Sequence, residues 1–119
     1  MKIQELAKRL ELKAATKLFD RDVTGVYISD MVSDVIANAK AGDLLVTAQA
    51  HANVIAAANL VDTCAVVITQ GKTLADDVVK MAEKAEITAF TTALNRWQMA
   101  TKLYEAGIRS TADRTRPRR

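Results

Sequence analysis

The sequence predicts an α/β domain built on a mainly parallel sheet with helices on both faces. Three observations lead there. Strand-like and helix-like segments alternate along the chain, the order that yields crossover units. The strand-like segments are continuous apolar runs, as strands buried on both faces must be. With 119 residues, half of them apolar and about a quarter charged, the chain suits one ordinary globular core. Only five side chains are aromatic, so that core is expected to be aliphatic, with alanines allowing close helix contacts.

The first segment, "KIQELAKRLEL", repeats Ile3, Leu6, Ala7 and Leu10 at helical spacing. "KAATKLF" reads ambiguously as a short strand, and "DRDVTG" is rich in turn formers. "VYIS" is short and β-branched, hence a strand. Ser29 or Asp30 can cap the helix expected over "MVSDVIANAKAGD", with Met31, Val32, Val35 and Ile36 inward and Gly42 closing it. "LLVTA" and "CAVVIT" are buried strands on either side of a helix, "ANVIAAANLVD". "QGK" is a turn, and Thr73 can cap the helix expected over "TLADDVVKMAEKAE", whose Asp76 and Asp77 favour its dipole. "ITAF" is the last strand. "TTALNRWQMATKLYEAGI" is the last helix, expected to bury Leu94, Trp97, Met99, Ala100, Leu103 and Tyr104 and to end at Gly107.

The net charge of +3 belongs to the end of the chain. Five of the seventeen basic residues and one of the fourteen acidic ones fall in 109–119, which leaves twelve against thirteen in residues 1–108. The expected division is therefore one domain over 1–108 and a disordered basic tail over 109–119. A near-neutral domain argues against a nucleic-acid footprint. The start of the chain reads as an amphipathic helix and not a secretory signal, and Ala52–Ile68 is broken by Asn53, Asn59, Asp62 and Thr63. No membrane span and a cytoplasmic location are expected.

Parallel strands bring their carboxyl ends to one edge, where ligands meet helix N-termini. The residues so placed are Ser29 and Asp30, then Thr47, Gln49, His51 and Asn53, then Thr69, Gln70 and Gly71, and finally Thr91 and Thr92. Serine, threonine, aspartate and asparagine at these places also serve as plain helix caps. Gln49 and His51 are poor caps and so stand out as ligand-binding candidates, with a solvated turn as the alternative for His51. Reaction templates are missing. The one histidine has no second, the one cysteine sits in apolar "VDTCAVVIT", and neither a complete P-loop nor G-x-G-x-x-G occurs. A single thiol cannot hold a zinc or iron–sulfur site, so no metal, cofactor or catalytic residue is expected.

The stretch from "DRDVTGVYISDMVSDVIANAK" to "VVITQG" resembles a DRTGG domain of the small stand-alone bacterial kind, over residues 2 to 108. Its D-R-x-x-T-G-G pattern stands here as Asp20, Arg21, Thr24 and Gly25, with Val26 in place of the last glycine, and Gln49, His51 and Asn53 form a further family-like pattern. The resemblance implies a fold like the N-terminal domain of HPr kinase/phosphorylase. It also implies a regulatory or structural role, as in DRTGG domains inside phosphate acetyltransferases and inorganic pyrophosphatases, with dimer contacts. Phosphate acetyltransferase versions carry G-D-R and T-G-G where this chain has Gln49-Ala50-His51 and Thr69-Gln70-Gly71, so the charged pair is gone. Two functions follow as expectations. One is a non-catalytic regulatory or scaffolding domain that forms a homodimer, with a partner enzyme of the hydrogenase-associated or kinase/phosphatase type. The other is a sensor of a nucleotide or other anionic ligand at the strand-end edge.

Overall fold

The computed structural model describes residues 1–110. Along the chain run α1 (Ile3–Arg9), β1 (Lys13–Ala14), β2 (Gly25–Ile28), α2 (Val32–Asn38), β3 (Asp43–Thr47), α3 (Ala52–Leu60), β4 (Ala65–Ile68), α4 (Asp76–Lys84), β5 (Thr88–Thr91) and α5 (Arg96–Glu105). The strands form one sheet in the order β1-β5-β4-β3-β2. β2 to β5 are parallel, and β1 pairs antiparallel with β5. The expected α/β architecture is the observed one.

Strands β2, β3, β4 and β5 step across the sheet in one direction. Right-handed crossovers then place the three intervening helices on a single face. Leu45, Val66 and Ile68 point to that face and pack with Val35, Val54, Ile55, Ala58, Val78 and Ala82 of α2, α3 and α4. Leu44, Val46, Val67 and Phe90 point the other way, onto Ile3 and Leu6 of α1 and Met99 and Leu103 of α5. Every residue of β3 and β4 is buried, as continuous apolar runs require. Cys64 lies within the second of these cores. Among the described residues no helix is long and apolar enough to cross a membrane.

Helix boundaries depart from the sequence reading for local reasons. α2 stops at Asn38 with Ala39 as its extended C-cap, so Gly42 does not close it. Gly42 instead takes φ +84° in the turn before β3, where an added Cβ would lie 2.3 Å from Thr24 Oγ1. Ser29, Asp30 and Thr73 are not side-chain caps, because α2 and α4 begin one or more residues later with Met31 and Ala75 at the N-cap. The first turn of α5 is also shorter than expected. Asn95 and Gln98 form a reciprocal capping box that starts the helix at Arg96 and leaves Leu94 in the preceding loop.

Burial on α2 and α5 also differs from the faces the sequence predicts. Met31 (63% exposed) and Ile36 face solvent on α2, and Trp97 (79%) and Tyr104 (63%) face solvent on α5. Met99 and Leu103 form the inner stripe of α5, and Trp97 lies about 200° around the helix from Met99. The last helix therefore carries apolar residues on both faces, which periodicity alone cannot rank. Gly107 ends it as expected: its N–H reaches the Tyr104 carbonyl and that of Ile108 the Leu103 carbonyl. The same closure ends α1, α3 and α4 with Glu11, Asp62 and Glu86 in the left-handed region. Arg109 and Ser110, expected in the tail, make contacts with the domain: the Arg109 guanidinium stacks 4.0 Å over the Tyr104 ring and Ser110 bridges Val26. The rest of the expected tail, 111–119, lies outside the described residues.

Candidate functional site

Because β2 to β5 are parallel, their carboxyl ends share one rim. Helix α4 leaves β4 toward one face of the sheet and α5 leaves β5 toward the other. In open sheets such a parting opens the ligand crevice. Here the crevice is closed by backbone: Gln70 N–H donates to the Leu94 carbonyl at 2.8 Å and Gly71 N–H to that of Thr92 at 2.9 Å. Thr92 N–H in turn donates to Ile68. Gln70 and Gly71 both have positive φ, which suits the tight turn that makes these contacts.

Asp30 organises the other half of the rim. Its Oδ1 accepts from the Ala48 N–H at 2.8 Å and the Thr47 hydroxyl at 3.1 Å, while Oδ2 pairs with Arg96. Asp30 follows the edge strand β2 and Arg96 follows β5, so the ion pair passes over the ends of β3 and β4. Thr47 Oγ1 also accepts from Gln49 N–H at 3.1 Å, and its carbonyl takes both the N–H and the hydroxyl of buried Thr69. A backbone N–H, a hydroxyl and a guanidinium thus converge on one oxygen acid, the donor set of an anion cradle. The chain fills that cradle with its own carboxylate.

The sequence-predicted residues divide accordingly. Asp30 and Thr69 are both bonded to Thr47, and the Gln70–Gly71 turn is bonded to the Leu94 and Thr92 carbonyls. Gln49 is half-buried, and His51 and Asn53 are exposed at the start of α3. His51 occupies the N-cap but its ring makes no capping hydrogen bond. Ser29 Oγ accepts from the Met31 N–H and also bonds Asp34. Hydrogen bonds from Ser29, then Tyr27 and Asn38, hold the Asp34 carboxyl below its ordinary range. Burial first, then the neighbouring Asp34 carboxylate, pushes the Tyr27 phenol up.

Arg96 was missed at the sequence level. The signal was present in Asn95-x-x-Gln98, a capping box whose first helical residue must sit beside the strand-end rim. Burial raises the Cys64 thiol to about 12, far from a usable thiolate. Among the described residues no group of three or more His, Cys, Asp or Glu side chains is placed to hold a metal ion.

The model of the DRTGG domain family matches residues 5–106. The chain belongs to the DRTGG domain family. No curated protein matches the chain. Among solved structures it is similar to the CBS and DRTGG domains of the regulatory region of Clostridium perfringens pyrophosphatase, complexed with the activator diadenosine tetraphosphate. The likeness has a TM-score of 0.66 at 15% identity over 85% of this chain, and supports the fold. This chain spans 45% of that one, less than half its length.

The DRTGG signature residues lie at the opposite end of the strands from the rim. Arg21 reaches Asp62 through its carboxylate at 3.2 Å and its carbonyl at 3.3 Å, and Gly42 N–H donates to the same carbonyl. Thr24 N–H donates to Gly42, and Gly25 opens β2 opposite Asp43. Asp20 pairs with Lys2 at 3.8 Å. In this chain the signature fastens the entrance of β2 to the turns that precede β3 and β4.

Proposed function

We propose that this DRTGG domain is a non-catalytic regulatory or scaffolding module that self-associates and acts through protein contact. One observation carries the reading. At the strand-end rim Asp30, Thr47, Thr69 and Arg96 are engaged with one another, whereas the largest exposed aromatic surface, Trp97 and Tyr104, lies on α5 away from any internal partner except Arg109. Exposed aromatic rings grouped on one face are the usual mark of a protein-binding patch. The pyrophosphatase regulatory region to which the chain is similar favours an enzyme as the partner, and a cytoplasmic setting suits that role. Light scattering across a concentration series tests it. A mass rising toward twice 12.9 kDa at tens of micromolar is expected, and a constant 12.9 kDa would refute self-association.

A second reading is favoured by the activator in that neighbour: a nucleotide or other anionic ligand bound at the rim by Gln49, His51, Asn53 and Arg96. Thermal melts with diadenosine tetraphosphate and ATP test it, since a ligand at a hundredfold its Kd stabilises the native state by about 2.7 kcal/mol. An unmoved Tm at saturating nucleotide would remove this reading.

A further inference from the structure

We infer that Asp30 is a built-in competitor at the strand-end rim. An anion of the phosphate class binds there by taking the place of the Asp30 carboxylate on the Ala48 N–H, the Thr47 hydroxyl and Arg96, and so releases segment 29–31 between β2 and α2. The inference rests on the ligand reading of the rim, and adds how the ligand enters and what it frees.

The donors belong to fixed parts of the fold. Thr47 (1% exposed) ends β3 and Ala48 (7%) follows it. The Thr47 carbonyl is held by the N–H and hydroxyl of Thr69, and its Oγ1 takes the Gln49 N–H. Arg96 starts α5, where the reciprocal bonds of Asn95 and Gln98 set the helix. The acceptor sits on a more exposed connection. Met31, the residue after Asp30, faces solvent, and α2 begins there without a side-chain cap. The donors therefore stay aimed at one point when the carboxylate leaves, which is the preorganisation a binding site needs.

The strength of the competitor selects the ligand. A free carboxylate offers the cradle nothing that Asp30 lacks, and Asp30 acts at the effective concentration of a tethered group. A phosphate group carries about −1.5 to −2 charges at pH 7 and has a third acceptor oxygen. One oxygen can take the Ala48 N–H and the Thr47 hydroxyl, a second the guanidinium, and the third faces outward. Arg96 is 44% exposed in its pair with Asp30, so further N–H donors remain for that oxygen. Half-buried Gln49 and exposed His51 and Asn53 follow Ala48 closely along the chain. The Asp30–Arg96 pair spans the ends of β3 and β4, so the exchange that binds the ligand also removes the strap across the rim. A ligand shifts such an equilibrium only through its preference for one form, and here the open form alone offers the cradle.

NMR titration of the full chain with inorganic tripolyphosphate and with ATP tests the inference, read at the Ala48 and Met31 amides. In the unaltered chain both amides should shift together, Ala48 through its change of acceptor and Met31 through release of the segment. Asp30→Asn keeps the size of the side chain and removes its charge. It should bind tripolyphosphate at least about tenfold tighter, the factor expected when the competitor keeps nine-tenths of the molecules closed. Asp30→Ala, which empties the cradle, should gain at least as much. Asp34→Asn removes the same charge outside the cradle and should change the affinity less than about twofold, as screening of an exposed charge requires. Adding Arg96→Gln to Asp30→Asn should abolish the gain. With the gain in hand, tighter binding of ATP than of tripolyphosphate assigns the site to a nucleotide, and equal binding assigns it to the phosphates alone. Asp30 variants that bind no tighter than the unaltered chain, while Ala48 shifts in all of them, overturn the competitor and leave the ligand reading standing. No shift at Ala48 in any of these chains at millimolar tripolyphosphate or ATP overturns both.

Discussion

Asp30→Ala removes the acceptor on which the strand-end rim converges. The Ala48 N–H and the Thr47 hydroxyl lose a carboxylate at 2.8 and 3.1 Å, and Arg96 loses its partner. A hydrogen bond to a charged group contributes about 1.5–3 kcal/mol. The Asp30 side chain is 30% exposed, so water recovers part of that loss. The expected destabilisation is about 2–3 kcal/mol for Asp30→Ala and about 1 kcal/mol for Asp30→Asn, whose amide oxygen still accepts. Arg96→Gln should cost under about 1 kcal/mol, because the pair is half-exposed. Urea unfolding at constant m reads these values, and the double mutant separates the Asp30–Arg96 coupling from the backbone contact. Asp30→Ala within about 0.5 kcal/mol of the parent chain would refute the rim as a self-satisfied network.

Four further outcomes follow from local geometry. Gly42→Ala must hold an L side chain at φ +84° against Thr24 Oγ1, and should lose at least about 2 kcal/mol by urea unfolding. Glu86→Gly relieves the left-handed φ of 58° at the end of α4 and should gain about 1 kcal/mol; a loss would mean that the glutamate makes a compensating contact. The Asp34 carboxyl titrates lower folded than unfolded, so its stabilisation is present above about pH 4 and disappears as pH falls through the folded value. NMR titration should show that carboxyl moving back up in Ser29→Ala. Cys64 should resist alkylation at pH 8 until the chain unfolds, and reaction at the rate of a free thiol would contradict its burial.

The strands were legible because the sheet buries both faces of β3 and β4, which leaves an uninterrupted apolar run in the sequence. Their shared rim was legible for the same reason: parallel order follows from alternation, and it brought Asp30, Thr47 and Thr69 together as expected. The use made of Asp30 was not legible. A capping aspartate and one that bonds the neighbouring strand end look alike until the strand order places β2 beside β3. The outward placement of Trp97 and Tyr104 is not legible in the sequence, because α5 has apolar residues on two faces and only the position of the sheet decides which is inner. The signature Asp20, Arg21, Thr24 and Gly25 identified the family but not its own role, since its partners Gly42 and Asp62 lie 18 or more residues downstream.

Trp97 is the only tryptophan, and it sits on the face where the second copy is expected. Its fluorescence therefore reports on that face alone. As the chain is concentrated from submicromolar to tens of micromolar, the emission should move to shorter wavelength in step with the rise in mass. Emission that stays that of a water-exposed indole while the protein reaches dimer mass would contradict the account.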